Sequence, residues 1–467
     1  MPARWKPQIR LAAMLPKRFP GRSEIAEARR CAAEVEAGAS DESQTLRLAG
    51  RVLARRDMGR IVFLDLVDRS GRIQLLVTEK VDLDLGDIVG VSGHPAKSRR
   101  GEPSLQVTEL ELLAKIRVPL PDTFHGLSDV EQRYRRRYLD LLMNEDTRRA
   151  FEIRTRAVTE IRRYLDEEGF LEVETPVLQP RYGGGFATPF LTHYNELGQD
   201  MYLRIATELY LKRLIVGGLE RVYEIGKDFR NEGFSYKNSP EFTMLEWYEA
   251  YASYEDAMVR VETLLERVAL ATLGATRVQF RGHAVDLKAP WRRLKLADAL
   301  ADQGLWLRDA ADLRAALDER GLDTSHDHTW AQLADHALGS IVEPTLIEPT
   351  ILYDYPIELS PFARATDDDP TIVERFEYFV AGFELGNAYS EINDAEEQAS
   401  RFREQLAEKE AGAAEFVEDD PDYVEALSYG MPPTAGLGLG LDRLAMLLTG
   451  RETIRDVILF PALRARP

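Results

Sequence analysis

Between Arg221 and Tyr251 the chain reads RVYEIGKDFRNEGFSYKNSPEFTMLEWYEAY, and no other stretch restricts the fold as tightly. It predicts two strands joined by a polar loop, with charged residues where a core strand would be apolar. On the second strand, period-2 alternation puts Phe242, Met244, Glu246 and Tyr248 on one face. On the first, Glu224 and Arg230 share a face, and Glu232 follows two residues on. A carboxylate among Phe, Met and Tyr on a half-buried strand is costly unless something cationic meets it. A hairpin lined this way suits a ligand with both anionic and cationic parts.

At 467 residues the chain has room for two to four domains and a sizeable core. Its net charge of −19 argues against unspecific coating of nucleic acid, although an acidic whole can carry a basic face. One exists: the first 60 residues hold 13 Lys/Arg against 7 Asp/Glu, a local net of +6. A single cysteine, Cys31, permits no internal disulfide, which fits a reducing cytoplasm. No apolar run approaches a membrane span, and the start, MPARWKPQIR, lacks the apolar stretch of an export signal.

Residues 1–44 read as a basic N-terminal extension, with a short helix expected from Ser23 to Ala37, ended by Gly38. Residues 45–117 hold five short strands separated by Gly-containing turns. On strands alone this is as much a generic five-stranded sheet as a small Greek-key barrel of the OB type. Residues 118–145 form a linker, with the proline-marked VPLPD (Val118 to Asp122) and the charged helix VEQRYRRRYLDLL. Residues 146–467 mix helices and strands, interrupted by an Ala- and Asp-rich helical stretch from about Leu294 to Ala337. The acidic segments DDDP (Asp367 to Pro370) and EFVEDDPDYVEA (Glu415 to Ala426) lack the alternation with turn residues that a calcium loop needs, and read as solvated faces.

The chemistry starts from what is missing. There is no Gly-x4-Gly-Lys-Ser/Thr loop, and the glycines from Gly436 are spaced two apart, unlike GxGxxG. No activated Ser, Cys or Lys constellation is visible. In RFEYFVAGFELGNAYSEIND, a two-residue turn at Ala381-Gly382 would pair Phe379 with Glu384 and put Glu377 on the same face. Two diagonal carboxylates suit hard cations bridging phosphates, though two glutamates on a hairpin are usually just surface. In the same segment Asn387, Tyr389 and Glu391 alternate onto one face. Two glutamates, Glu246 and Glu391, plus a tyrosine hydroxyl can meet the three donors of an ε-ammonium.

The FRNEG loop entry and PEFTMLE return strand resemble the second signature motif of class II aminoacyl-tRNA synthetases. GLGLGLDRL (Gly436 to Leu444) is similar to the third motif, and FLEVETPVL (Phe170 to Leu178, with Pro176) to the first, which in the class forms a dimer interface. Three motifs in this order are very specific, where one alone would be moderate. Within the class the similarity is nearest to the lysyl-tRNA synthetase family and runs from about Thr45 to the C-terminus.

The resemblance implies an α+β protein: a five-stranded OB-fold β-barrel that binds the anticodon, then a class II synthetase catalytic domain with an antiparallel sheet flanked by helices. It implies activation of L-lysine with ATP and Mg2+ to lysyl-adenylate, transfer to the 3′-end of tRNA(Lys), and a cytoplasmic homodimer. Arg230 would clamp the α-phosphate and the substrate carboxylate, Phe242 would stack on adenine, and Glu232 would hold the adenine amino edge. Arg443 would lie across the other face and reach the γ-phosphate, Asn238 would hydrogen-bond ATP, and Glu377 and Glu384 would hold magnesium. Glu246, Tyr248 and Glu391 would meet the lysine ammonium, with Asn387 on the same face and Tyr389 against the methylene stem. Glu208 and Gly184 would hold the α-amino group. In the barrel, Phe63, Gln74 and Glu102 match anticodon positions, with Arg51, Arg55, Arg56 and Arg60 on phosphates.

The chain also departs from that pattern. Tyr236-Lys237-Asn238-Ser239-Pro240 stands where lysyl enzymes usually carry His-Asn before Pro, and Thr188 and Phe383 replace common arginines. ATP affinity is the property these changes put in question. Competing readings are a paralogue that lysylates a protein or lipid and a non-catalytic regulator that binds amino acid or tRNA. The barrel residues count against the first; intact Arg230, Glu377, Glu384 and Arg443 count against the second.

Overall fold

The computed structural model describes residues 8–10, 15–59, 61–121, 127–185, 187–306, 309–410 and 419–465. Arg60, Asp122 and residues 415–418 of the acidic segment lie outside them. The chain forms two compact units, Met1–Asp129 and Val130–Pro467.

In the first unit, helix α1 (Ile25–Glu34) precedes strands β1 (Leu46–Met58), β2 (Ile61–Asp68), β3 (Gly71–Val77), β4 (Ile88–Lys97) and β5 (Pro103–Ala114). Alternation drives the core: Val62, Leu64 and Leu66 on β2 and Ile73, Leu75 and Val77 on β3 point inward against Val89, Val91, Leu105 and Val107. The strands pair in the order β5-β3-β2-β1-β4, and β5 also pairs with β4. That last pairing removes both edges and makes the sheet a closed barrel, which decides between the two readings of these strands. A short strand at Gln8–Arg10, which nothing in the sequence suggested, runs parallel to β5.

The helix in the basic extension is shorter than expected, because Val35 already has extended backbone. It buries Ile25, Ala28 and Ala32 against the barrel. Its first amides are satisfied by the barrel, Ile25 N–H donating to Asp68 Oδ2 (3.2 Å) and Ala26 N–H to Ser70 Oγ (3.0 Å).

The second unit is built on helices α2 (Glu145–Glu167) and α3 (Glu208–Val216), strands β6 (Arg221–Phe229) and β7 (Glu241–Ala250), and helix α4 (Tyr254–Leu273). Strands β8 (Thr350–Pro356), β9 (Ile372–Phe379), β10 (Glu384–Ser390) and β11 (Thr434–Gly440) follow, then helix α5 (Leu441–Thr449). The six strands form an antiparallel sheet in the order β8-β9-β10-β11-β7-β6. Each edge adds a short parallel strand, Arg292–Lys295 on β8 and Leu171–Glu172 on β6, so the sheet is mixed and not purely antiparallel.

One sheet face is apolar. Tyr223, Leu245, Trp247, Phe376, Ala388, Leu437 and Leu439 pack against α2 (Ile153, Ala157, Ile161) and α4 (Val261, Leu264, Leu265). The charged helix expected over 130–142 breaks at Arg136 into two short helices, and Arg137 is fully buried. It pairs with Asp140 and donates to the carbonyls of Leu459 and Arg455, which is why so charged a segment can turn inward.

Candidate active site

The opposite sheet face carries the polar residues. Directly opposed residues of antiparallel strands share a face. One such row runs Glu224, Glu246, Gly438, Asn387, Glu377 across β6, β7, β11, β10 and β9. The next runs Val222, Tyr248, Gly436, Tyr389, Arg375. The middle strand is glycine at this face for a steric reason. A Cβ at Gly436 would lie 2.0 Å from Glu391 Oε1 and 2.5 Å from a Tyr248 ring carbon, and one at Gly438 would lie 3.2 Å from Met244 Cε. The period-2 glycines make a trough into which the side chains of β7 and β10 lean.

The trough's cationic end is a cavity of about 260 Å³ lined by Arg230, Asn238, Phe242, Glu384, Gly440 and Arg443, among others. The Arg230 guanidinium lies 5.3 Å from the Phe242 ring centre. Arg443 pairs with Glu384 (2.8 Å) and donates to Asn238 Oδ1 (3.3 Å), tying the motif-2 loop to α5. Glu232 accepts from the Thr188 amide (3.3 Å), and the Asn231 amide donates back to the Thr188 carbonyl (2.7 Å). Phe383 is buried and meets Phe280 edge to face, with the Arg443 guanidinium 5.7 Å from its ring. Asp442, one residue before Arg443, accepts the Thr243 amide (2.7 Å) and pairs with Arg154 of α2, so the second and third motif segments meet here, braced by α2.

The expected two-residue turn is present. Val380 and Phe383 exchange backbone hydrogen bonds, Ala381 (φ 53°) and Gly382 (φ 63°) both have positive φ, and Phe379 pairs with Glu384. Glu377 and Glu384 each use one oxygen for an arginine, Arg375 (2.6 Å) and Arg443 (2.8 Å). Burial pushes Glu377 up to about 7, against the pull of Arg375 and with the help of Glu384. Burial would raise Glu384 too, but Arg443 holds it below the ordinary carboxylate value. No group of three or more metal-binding side chains is gathered among the described residues. Two carboxylates alone still suit Mg2+, which is commonly held by one or two carboxylates plus substrate phosphates.

At the acidic end, Glu208 (first turn of α3), Glu246 and Glu391 are all buried. Gly184 (φ +83°) closes on Glu208, where a Cβ would lie 3.1 Å from the glutamate's own. Glu246 makes no ion pair among the described residues; it receives long bonds (3.4 Å) from the Thr207 amide and the Tyr248 hydroxyl. Burial, with Asp228 and Glu208 nearby, pushes it up to about 8. Asp228, held by Arg204 (3.1 Å), is pushed up to about 6 by burial.

Two buried cations organise this end, and sequence reasoning missed both. Lys212 Nζ pairs with Glu208 (2.6 Å) and with Glu391, so Glu391 does not await a ligand alone as expected. Burial lowers its affinity for a proton, but the two carboxylates overcome this and keep the ammonium charged. The available signal was its place among Glu208, Leu209, Leu211 and Ile215, the buried positions of α3. Arg204 similarly ties Glu224 (2.6 Å) and Asp228 together, which answers the cost of the β6 carboxylates.

In the barrel, Phe63 is half-buried and stands outside the core cluster, between inward-facing Val62 and Leu64. Gln74 accepts from Ser104 Oγ (3.1 Å), and Glu102 is exposed with Arg29 at 3.9 Å. Of the arginines expected on phosphates, Arg51 donates to the Gly86 carbonyl and Arg55 to those of Val81 and Leu83, so both serve the barrel. Arg56 sits by buried Asp65 (3.5 Å), joined there by Arg72 (2.7 Å), a cation the sequence reading had not used.

Residues 129–464 match the family described as tRNA synthetases class II (D, K and N), and residues 46–113 match the OB-fold nucleic acid binding domain. A lysine–tRNA ligase of Chloroflexus aurantiacus is 49% identical over 441 residues, covering 91% of this chain and 90% of the relative. One from Dehalococcoides mccartyi is 47% identical over 449 residues (93% and 90%), and one from Haemophilus influenzae 47% over 439 residues (90% and 88%). With the second and third motifs on one trough and this similarity along nine-tenths of its length, the chain belongs to the class II tRNA synthetases of the D, K and N family, beside the lysine–tRNA ligases.

Proposed function

We propose that the chain is a lysine–tRNA ligase that activates L-lysine with ATP and transfers it to the 3′-end of tRNA(Lys). What most supports lysine is the acidic end of the trough: three buried carboxylates, Glu208, Glu246 and Glu391, with Glu246 directly opposite Gly438, which lines the cationic cavity of Arg230 and Arg443. An aspartate or asparagine side chain would place no positive charge there, whereas an ε-ammonium would.

The amino-acid carboxylate attacks the α-phosphorus, the bond to pyrophosphate breaks, and lysyl-adenylate forms. Arg230 draws the two anions together, and Phe242, with the Arg230 guanidinium 5.3 Å from its ring centre, would stack on adenine. Arg443, held by Glu384 and Asn238, faces the leaving phosphates, and Glu232 takes the adenine amino edge. Glu377 and Glu384 would hold Mg2+, which supplies charge neutralisation on the phosphates when bound. Glu246, Tyr248 and Glu391 take the ε-ammonium, with Tyr389 against the stem and Asn387 on the same face; Glu208 and Gly184 take the α-amino group. The terminal ribose hydroxyl of tRNA then attacks the mixed anhydride and AMP leaves.

Phe63, Gln74 and Glu102 are assigned to the anticodon, with Arg56 and Arg72 as backbone cations. The domain limits 45–117 and 146–467 are retained as functional units, with 118–145 as the connection. No helix among the described residues is long and apolar enough to cross a membrane; cytoplasmic residence and a homodimer around Pro176 are part of the proposal. Exposed Leu171, Val177 and Leu178 flank that proline and support a self-complementary contact. ATP–pyrophosphate exchange across the twenty amino acids tests the reading: exchange with lysine alone is expected, and exchange with aspartate or asparagine, or none, contradicts it.

A further inference from the structure

The trough contains a cation that the reaction does not require. Lys212 Nζ is fully buried, pairs with Glu208 Oε1 at 2.6 Å, and also pairs with Glu391 Oε2. Three rings surround it, Phe362 at 4.9 Å and Tyr389 and Tyr423 at 5.7 Å. Tyr389 closes the arrangement by donating its hydroxyl to the other Glu208 oxygen, at 2.6 Å. Glu391 Oε1, in contrast, is buried without a hydrogen-bond partner and lies over the glycine floor at Gly436.

We infer that Lys212 is a positioning residue that makes the amino-acid pocket read the length and charge of its substrate. This rests on the lysine reading above. Glu208 and Glu391 are the carboxylates assigned to the two ends of the substrate, and one ammonium bonded to both fixes the distance between them. A substrate whose two ammonium groups match that separation satisfies both ends. One shorter by a methylene reaches only one of them.

Lys212 also sets the charge. With all three carboxylates ionised, as when an ammonium is bound, one internal ammonium leaves two negative charges, which equals the two ammonium groups lysine brings. Asp228 lies nearby and shares Arg204 (3.1 Å) with Glu224, apart from the carboxylates that Lys212 holds. Without Lys212 the surplus charge would drive the carboxylates apart or draw in a proton, and the spacing would be lost. Lys212 itself would not touch the substrate.

The test is ATP–pyrophosphate exchange by the full chain, parent and Lys212→Met, with lysine and with ornithine, its homologue one methylene shorter. Methionine keeps an unbranched side chain among the three rings and removes the charge together with the N–H donors to Glu208 and Glu391. The expected result is a rise in the KM for lysine of at least tenfold, with the KM for ATP within threefold of the parent. The preference for lysine over ornithine in kcat/KM should narrow at least fivefold. A lysine KM within twofold of the parent, an ATP KM rising by the same factor, or an unchanged preference would each overturn the inference. If Lys212→Met is not recovered folded, Tyr389→Phe removes only the hydroxyl on Glu208, and the same narrowing is expected; an unchanged preference overturns the inference equally. Absence of lysine-dependent exchange in the parent would instead refute the function proposed above.

Discussion

Glu246 is the residue on which the proposed selectivity for a cationic side chain turns, because it alone of the three trough glutamates has no internal cation among the described residues. Folding raises its pKa from about 4.3 to about 8, through burial first and then Asp228 and Glu208. The neutral form is therefore favoured in the fold. Its contribution to stability is fully present below the unfolded value and is lost as pH climbs towards 8. A bound ammonium reverses this preference, so at neutral pH lysine binding should expel about one proton. Titration calorimetry at pH 7 in two buffers of different ionisation enthalpy should give different apparent heats, and Glu246→Gln should remove the difference. Equal heats for the parent would show that Glu246 does not ionise on binding. The same variant should slow lysine-dependent exchange at subsaturating lysine by roughly two to three orders of magnitude, since losing one partner of a buried charge pair costs about 3–5 kcal/mol. ATP affinity should change little, and parent-like exchange would refute the assignment. Glu246 was legible because a carboxylate on an apolar strand face has few explanations. Lys212 and Arg204 were not, because a lysine or arginine among leucines reads as a solvated charge until the carboxylates facing it are known.

Strand β11 shows what an element contributes that no residue does alone. Its alternating glycines produce the trough only because β7 and β10 flank it on both sides, with Tyr248 and Tyr389 both opposite Gly436. Gly436→Ala would put a methyl group 2.0 Å from Glu391 Oε1 and 2.5 Å from the Tyr248 ring. Glu391 is a flexible side chain held by Lys212, so it would yield, at a cost of about 1–3 kcal/mol for overpacking. The expected outcome is a folded protein with a modestly lower urea midpoint and a lysine KM at least tenfold higher; a parent-like KM would show that the trough is wider than its side chains imply. The spacing of these glycines and the β9–β10 turn could be read from sequence, since both are local. Barrel closure could not, since it depends on β1 meeting β4 and β3 meeting β5, strands that are not neighbours in the chain. The break at Arg136 and the burial of Arg137 were hidden likewise, because the carbonyls they rely on lie more than 300 residues away.

On the scale of the whole molecule, a net charge of −19 has to be reconciled with a polyanionic partner. The local excess of cations before residue 60 offers a way, although Arg51 and Arg55 are taken by barrel carbonyls, which leaves fewer cations than the sequence count suggests. Arg56 and Arg72, about half exposed beside Asp65, remain on the Phe63 side of β2 and β3. If the homodimer forms, light scattering at micromolar concentration should give twice the chain's mass, and a fully active monomer would contradict it. The barrel's role separates from the chemistry in one variant. Phe63→Ala removes a half-buried ring outside the barrel core, so folding should survive. Base–aromatic stacking contributes about 1–3 kcal/mol per base, so the KM for tRNA(Lys) should rise roughly five- to a hundredfold while lysine-dependent pyrophosphate exchange stays at the parent's rate. Raising the salt should weaken tRNA charging by parent and variant with the same slope, because the phosphate contacts are untouched and only stacking is lost. A Phe63→Ala protein that charges tRNA(Lys) as well as the parent would remove Phe63 from the anticodon site. One that also lost pyrophosphate exchange would mean that the barrel supports activation itself.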